Sequence, residues 1–346
     1  MSARRPTRDD VAKRAGVSSA VVSYVLNGGP KPVAEDKRQR VRAAIEELGY
    51  LPNDIARSLA GQSTKSIGVI APTLANPVWA SLTMGVSDVI SQKDYLMIVC
   101  DVEDDPGLDQ RYAQMMVSKR VDGVIVVPTA NTPSTLAILE RAGVPAIVVE
   151  QDVEGAPCVI VDAHDAGYRV TRHLIDLGHT RIAILREHRS SLDSWKRYLG
   201  YSDALAQAGI ELDPALVADG AASIEGSVVE GSIAAAHALL DVVPRPTAVF
   251  AHNDLIAIAV IYVARSRGLR VPEDVSVIGV DDIDAGRYCN PPLTTVPFPS
   301  RQLGQEAANR LLGVLSGGSS ERLSVLRCPP LVIRSSTVAP APGEMS

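Results

Sequence analysis

The side chains able to do chemistry in this 346-residue chain are distributed in a way that speaks against catalysis. There is no G-x-S-x-G nucleophile elbow, no G-x-x-x-x-G-K-[ST] phosphate loop, no G-x-G-x-x-G fingerprint and no H-E-x-x-H zinc pair. The six histidines, at 164, 173, 179, 188, 237 and 252, show no metal-ligand spacing. His173 and His179 flank Gly178, where an imidazole satisfies helix-end carbonyls or meets the negative end of the dipole. Cys100, Cys158, Cys289 and Cys328 lie far apart with no C-x-x-C pair, which indicates neither a disulfide framework nor a zinc knuckle and suits a reducing cytoplasm. No metal and no cofactor are expected. What remains is a set of hydrogen-bonding groups at the ends of apolar runs: Glu150 after Ala146 to Val149, Asn253 and Asp254 after Ala248 to Ala251, and Asp281 after Val275 to Val280. Carboxylates and an amide that converge each accept several hydroxyl hydrogen bonds, which suits a polyhydroxylated ligand such as a sugar or nucleoside. Trp79 either stacks on the ring of such a ligand or belongs to the core. Glu150 reads equally as a cap of the next turn, and Asp254 as a helix N-cap.

The elements that must position these groups follow from apolar periodicity. Short β-branched runs at 67–71, 95–100, 123–127, 146–149, 158–161, 182–185, 248–251 and 275–280 predict strands buried on both faces, hence parallel. Amphipathic stretches at 77–92, 108–119, 133–142, 166–177, 196–208, 227–240 and 254–267 intervene and predict right-handed βαβ units. That number of strands exceeds one compact sheet of this kind. Two doubly wound subdomains with a cleft between them are expected, with ligands bound beyond the carboxyl ends of the strands.

The first sixty residues are different. Residues 1–61 hold eleven Lys/Arg against seven acids, while the rest of the chain holds 23 against 33, so a small basic head precedes an acidic body. Such a head is what a polyanion would meet. Thr7 with Asp10 forms a capping box opening a helix over Arg8 to Ala15, which Gly16 ends. Ser18 is placed as the N-cap of a second helix, Ser19 to Leu26, and a third over Ala34 to Leu48 closes the small core before Gly49. Two short helices joined by a glycine-containing turn have the spacing of a helix-turn-helix, whose second helix lies in the major groove of DNA.

The strings Asp10-Val-Ala-Lys-Arg-Ala-Gly-Val-Ser18, Val22-Ser-Tyr-Val-Leu-Asn-Gly28, Arg42-Ala-Ala-Ile-Glu-Glu-Leu-Gly-Tyr-Leu-Pro-Asn53 and Ala56-Arg-Ser-Leu-Ala-Gly61 resemble the head of the lactose-repressor/galactose-repressor (LacI/GalR) family of bacterial transcriptional regulators. The resemblance continues through Val121-Asp-Gly-Val-Ile125, His173 to Ala183, Pro246 to Asp254, Val271 to Asp282 and Pro291-Pro-Leu-Thr-Thr295. It implies a helix-turn-helix domain over 1–50, a hinge helix over 51–61 and an effector-binding core of periplasmic-binding-protein fold over 62–340. Its N-subdomain would take 62–162 and 291–325, its C-subdomain 163–290 and 326–340, with the chain crossing near 162, 290 and 325 and a disordered tail at 341–346.

The same resemblance implies residue roles. Leu59 matches the hinge leucine that wedges into the minor groove, an apolar device for kinking DNA. Base contacts map to Ser19, Ala20 and Tyr24. Many relatives have Arg at the last position, and a tyrosine cannot make the bidentate pair with guanine. Arg8, Lys31, Arg38 and the hydroxyls of Ser18, Ser23 and Tyr50 are expected on phosphates, and Thr7, Asn27, Asn53 and Ala56 complete the DNA-facing set. Arg197 matches the family's effector-contacting arginine and Asp281 its ligand aspartate. Two positions depart from the common pattern: Arg186-Glu-His-Arg-Ser190 stands where relatives often carry glycines, and Val280 replaces a frequent Phe.

The expected protein is a ligand-responsive homodimeric repressor of operator DNA, cytoplasmic and nucleoid-associated, without membrane contact and not an enzyme. The tail after Thr337 has no heptads, so no tetramerising coiled coil is expected. Beside the enzyme already weighed, the second rival, a free-standing sugar-binding protein, would carry a signal peptide and no basic head. Deleting residues 1–61 is expected to abolish operator binding in a gel-shift titration while ligand binding by 62–346 persists; retained DNA binding by 62–346 would refute the division of labour.

Overall fold

A computed structural model describes residues 6–27, 32–50, 63–102, 105, 107–129, 131–187, 192–220, 227–319 and 321–341. The chain divides into two units, one ending at Thr64 and one starting at Lys65.

The head is three helices, α1 (Arg8–Ala15), α2 (Ser19–Asn27) and α3 (Glu35–Leu48). The capping box forms: the Thr7 hydroxyl accepts from the Asp10 amide, and the Asp10 carboxylate accepts from the Thr7 amide at 2.8 Å. Gly16 takes a left-handed conformation with φ +65, which stops α1 and lets the chain turn into α2. Val11, Ala12, Ala15, Val22, Val41, Ala44 and Tyr50 make the core of this unit.

The second unit holds two all-parallel sheets. The first has strands β1 (Ser66–Ala71), β2 (Leu96–Asp101), β3 (Gly123–Val126), β4 (Ala146–Val149), β5 (Cys158–Val161) and β11 (Leu323–Leu326), in spatial order β11-β5-β4-β3-β1-β2. The second has β6 (Ile182–Arg186), β7 (Val217–Asp219), β8 (Ala248–Ala251), β9 (Ser276–Asp281) and β10 (Thr294–Pro297), in order β10-β9-β8-β6-β7. Registers run Ile67 to Met97 and Gly123 in the first sheet, and Ile182 to Ala248 in the second. β1 and β3 are buried along their full length, as two-sided helical cover requires, whereas β2 is an edge strand with Leu96 exposed.

The first sheet is served by α4 (Pro77–Ile90), α5 (Leu108–Ser118), α6 (Thr132–Arg141) and α12 (Ser300–Leu315); the second by α7 (Ala163–Asp176), α8 (Leu192–Gln207), α9 (Val228–Asp241), α10 (Asp254–Ser266) and the short α11 (Asp284–Tyr288). In each half one helix pair packs without side chains between the backbones. A Cβ on Gly85 of α4 would stand 2.0 Å from the Arg301 carbonyl of α12, and a Cβ on Gly304 would stand 2.1 Å from that of Leu82. The same device joins α7 to α8: a Cβ on Gly167 would meet the Arg197 carbonyl at 2.1 Å, and one on Gly200 that of His164 at 2.1 Å.

The chain passes between the sheets after β5, after β10 and after β11. The middle crossing was expected near residue 290, but β10 still pairs with β9 of the second sheet, Thr294 opposite Ile278, so the passage falls at Phe298 and Pro299. β10 is four residues with two threonines and no apolar run, which leaves no periodic signal to read.

Beyond β11 the chain returns along the amino ends of the second sheet. Val332 bridges Thr295, the Ser336 hydroxyl accepts from the Thr294 amide, and the Ser276 hydroxyl donates to the Val338 carbonyl. The His179 ring spans Thr247 Oγ1 (2.9 Å) and the Val338 carbonyl (2.8 Å), and His173 reaches Thr337 Oγ1 at 3.1 Å. Among the described residues, no helix is long and apolar enough to cross a membrane.

Burial lowers the pKa of both His173 and His179 from the ordinary 6.5, so the fold favours their neutral forms. Their contribution is complete above pH 6.5 and is lost as pH falls below it. Urea titrations are expected to show stability falling on acidification through this window. The fall should be shallower in the His173→Gln/His179→Gln double variant; identical slopes would disprove the assignment.

Candidate functional site

In the head, the helix-turn-helix presents Ala20 exposed and Ser19, Ser23 and Tyr24 partly exposed on α2, with Arg8 exposed on α1. Ser18 caps α2, its hydroxyl accepting from the Val21 amide at 3.4 Å. The Ser19 hydroxyl donates to the Asp9 carboxylate of α1, so this base-reading candidate is bound within the head. Thr7 is committed to the capping box. Tyr50, whose hydroxyl is expected on a phosphate, has its ring in the head core in one cluster with apolar residues of all three helices. Arg38 lies 3.9 Å from Glu35, one turn before it on α3. Asn27 ends α2, while Lys31, Asn53, Ala56 and Leu59 lie outside the described residues.

In the second unit, parallel strands put all carboxyl ends of a sheet on one edge. The second sheet's edge collects Arg186 at the end of β6 and Glu187 just after it, Asp219 at the end of β7, His252 after β8 and Asp281 at the end of β9. Arg197 comes to this edge from α8. Its Nη1 donates to the His252 carbonyl at 2.5 Å, its Nη2 stands 4.0 Å from the Asp281 carboxylate, and its guanidinium lies 5.7 Å from the centre of the Phe298 ring. Both side chains of the pair are 5% exposed. Asp281 has φ +127, a strained conformation for a non-glycine residue, and its carbonyl accepts from the Phe298 amide at the middle crossing. His252 Nε2 stands 3.3 Å from Glu187 Oε2, and Arg186 Nη2 stands 2.7 Å from Asp219 Oδ1 with its guanidinium over the Tyr198 ring.

Asn253 and Asp254 follow β8 as expected, yet their roles are those of the fold. Asn253 is the N-cap of α10, its Oδ1 accepting from the Ile256 amide at 2.9 Å; the cap is therefore Asn253, not Asp254. Asp254 is fully buried: Oδ1 accepts from the Thr295 hydroxyl at 2.6 Å and Oδ2 from the Ile283 amide at 3.0 Å, tying α10 to β10 and to the start of α11. It has no surface to offer a ligand. Trp79, half-buried in the first turn of α4, packs against the core of the first sheet. Glu150, at φ +67 just beyond β4, has its amide on the Val159 carbonyl. The residues that sequence reading missed are His252, Glu187, Asp219, Tyr198 and Phe298. The departure at Arg186-Glu187 was the one available signal, because charge there has no place in a glycine turn. Among the described residues, no group of His, Cys, Asp or Glu is arranged to hold a metal ion.

A family model described as "Bacterial regulatory proteins, lacI family" matches residues 7–53, and one described as "Periplasmic binding protein-like domain" matches residues 171–337. The HTH-type transcriptional repressor PurR of Photobacterium profundum is 35% identical over 333 residues, covering 95% of this chain and 98% of the relative. The chain belongs to the LacI family. It is a DNA-binding transcriptional repressor and not an enzyme. Among solved structures, the Lac repressor dimer bound to operator and the anti-inducer ONPF is similar with a TM-score of 0.86 at 29% identity, covering 97% of this chain and all of that one. The regulator CelR in complex with cellobiose gives 0.72 at 31% identity, covering 96% of this chain and all of that one.

In this LacI-family core, burial pushes the Asp254 carboxyl up to about 7, opposed by its hydrogen bonds from Thr295 and Ile283 and reinforced by the nearby charge of Asp282. A raised folded-state pKa means stability is fully present below about pH 4 and is lost as pH rises toward 7. Asp254→Asn can keep both hydrogen bonds, with the amide oxygen on Ile283 and the amide nitrogen on Thr295. Urea midpoints of the variant relative to the parent are expected to rise between pH 4 and 7 and then level; parallel profiles would show that Asp254 does not titrate in this range.

Proposed function

We propose that the chain acts in the cytoplasm as a homodimer on a two-fold symmetric operator, and that a small polar ligand of the sugar or nucleoside type, held by Arg197 and Asp281, sets its operator affinity. The observation that carries this reading is the Arg197 and Asp281 pair: opposite charges, both buried, 4.0 Å apart, beyond hydrogen-bond distance, at the carboxyl edge of a parallel sheet. A buried ion pair of such geometry is a poor stabiliser of a fold. A ligand hydroxyl suits the gap, since it donates to the carboxylate while its neighbours accept from the guanidinium. The CelR relative is described with a sugar, cellobiose, and the Lac repressor relative as a dimer on operator, which favours both parts of the reading.

The coupling follows from where the pair is fastened. Asp281 is hydrogen-bonded through its carbonyl to Phe298, and the Arg197 guanidinium lies against the Phe298 ring, at the segment that passes between the sheets. A ligand that binds one arrangement of the crossings better than another shifts the population toward it, and by linkage changes affinity for DNA. On the DNA side, Ser19, Ala20 and Tyr24 face bases, Arg8, Lys31 and the Ser18 and Ser23 hydroxyls face phosphates, and Leu59 supplies the minor-groove wedge.

Selection from a random DNA pool by the full-length protein, in the absence and presence of a panel of mono- and disaccharides, nucleosides and purine bases, tests both halves. A two-fold symmetric site is expected, with at least one compound changing its affinity. Asp281→Asn is expected to keep operator affinity and lose that response, since asparagine has the shape of aspartate without its charge. A variant that responds like the parent would refute the pocket assignment.

A further inference from the structure

Ser19 is the first residue of α2, and its hydroxyl donates to Asp9 Oδ1 of α1 at 2.5 Å. In a docked helix-turn-helix the first residues of the second helix meet base edges, while the first helix crosses the sugar-phosphate backbone. A carboxylate within hydrogen-bond reach of Ser19 therefore comes to the same groove, although no sequence signal had marked Asp9 as facing DNA. Asp9 is exposed, and the described ion pairs of the head join Arg14 to Glu47, Arg38 to Glu35 and Arg40 to Asp36 without it. Helix α1 does not need it as a cap, since Thr7 and Asp10 form the capping box between them. Its service to that helix is the favourable charge that any acid gives a first turn.

The pair has a definite polarity. A free serine hydroxyl both donates and accepts, which suits several bases. Here the O–H is directed to Asp9, so what the pair offers a base is lone pairs alone, those of Ser19 Oγ and of the carboxylate. In the major groove guanine shows two acceptors, thymine an acceptor and a methyl group, and adenine an acceptor beside its amino group. Cytosine shows an amino donor with no acceptor of its own beside it. A pair that only accepts is repelled by the first three patterns and matched by the fourth. A carboxylate brought near the phosphates also weakens binding to any sequence that gives it no donor, so Asp9 discriminates by exclusion as well as by contact.

We infer that Asp9, carried by the first helix, is a specificity-determining residue: with Ser19 it forms a carboxylate and hydroxyl pair that selects cytosine at one position of each operator half-site. This rests on the reading of α2 as the base-facing helix above. Ser19 then reads DNA jointly with a residue ten positions before it, and the helix that lies across the backbone contributes to sequence choice.

The test uses full-length protein, a random DNA pool at one fixed salt concentration, and then duplexes of the selected site carrying each of the four base pairs at every position in turn. The parent chain is compared with Asp9→Ala, Asp9→Asn and Tyr24→Ala, none of which touches the capping box. The parent is expected to prefer a C·G pair in one fixed orientation, by at least about tenfold, at one position of each half-site. In Asp9→Ala that preference should fall to about twofold or less, with the other positions unchanged and binding to unselected DNA as strong or stronger. In Asp9→Asn it should move to A·T, because an amide side chain pairs with the N6 and N7 of adenine. Tyr24→Ala should alter a different position. An Asp9-dependent position occupied by a base other than cytosine would overturn the inference, as would a loss spread evenly over all sequences, which is the mark of a purely structural role in α1. If Tyr24→Ala alters a position and neither Asp9 variant does, the pair is refuted and the base-facing role of α2 stands. If no variant alters any position, or the parent selects no site, both fall.

Discussion

Helix α8 lies so close to α7 that neither Gly167 nor Gly200 has room for a methyl group, and the charged edge of the second sheet takes its position from that contact. The carbonyl that would collide with a side chain at 167 is that of Arg197 itself. Backbone touching backbone leaves less freedom in the height of Arg197 above the sheet than interdigitating flexible side chains would. From there the guanidinium reaches His252, Asp281 and Phe298 on three different segments. The first half of the core repeats the device with Gly85 and Gly304 between α4 and α12, where Asp88 and Arg301 add a two-pronged ion pair.

Most of the architecture was legible in the residues because buried parallel strands and their cover helices have strong, distinct periodicities. Helix α1 appears with the limits its capping residues set, and the long strands differ from expectation by a residue or so at their ends. The strands that escaped notice are the weak ones. β7 has three residues, β10 is half threonine, and β11 lies at a sheet edge with Val325 exposed, so none needs an apolar run. Missing β10 shifted the expected middle crossing from beyond Pro297 to near residue 290. The site was legible unevenly for a different reason. Asp281 and Arg197 stand out through the family pattern, but nothing in a linear string separates an aspartate that lines a cleft from one, like Asp254, that is buried between two strands and a helix. That distinction depends on Thr295, forty-one residues away.

The two ends of the second sheet have opposite chemistry. At the amino ends, Ser276 and Thr294 exchange neutral hydrogen bonds with Val338 and Ser336 of the returning chain, and His179, whose neutral form the fold favours, links Thr247 to Val338. Short hydroxyl bonds satisfy buried backbone groups without desolvating a charge. At the carboxyl ends, arginines and carboxylates are gathered where their desolvation is costly. One end is closed by neutral bonds, and the other gathers charge.

The middle crossing leaves from β10, on one flank of the second sheet, while Arg186 and Asp219 stand at β6 and β7 on the opposite flank. The contact of Asp281 with Phe298 is thus separated from the Arg186 and Asp219 pair by the whole of β8. On the proposed ligand reading, a substitution at the ends of β6 and β7 leaves the hydrogen bond between Asp281 and Phe298 in place, so contacts on one flank can change without disturbing the crossing on the other.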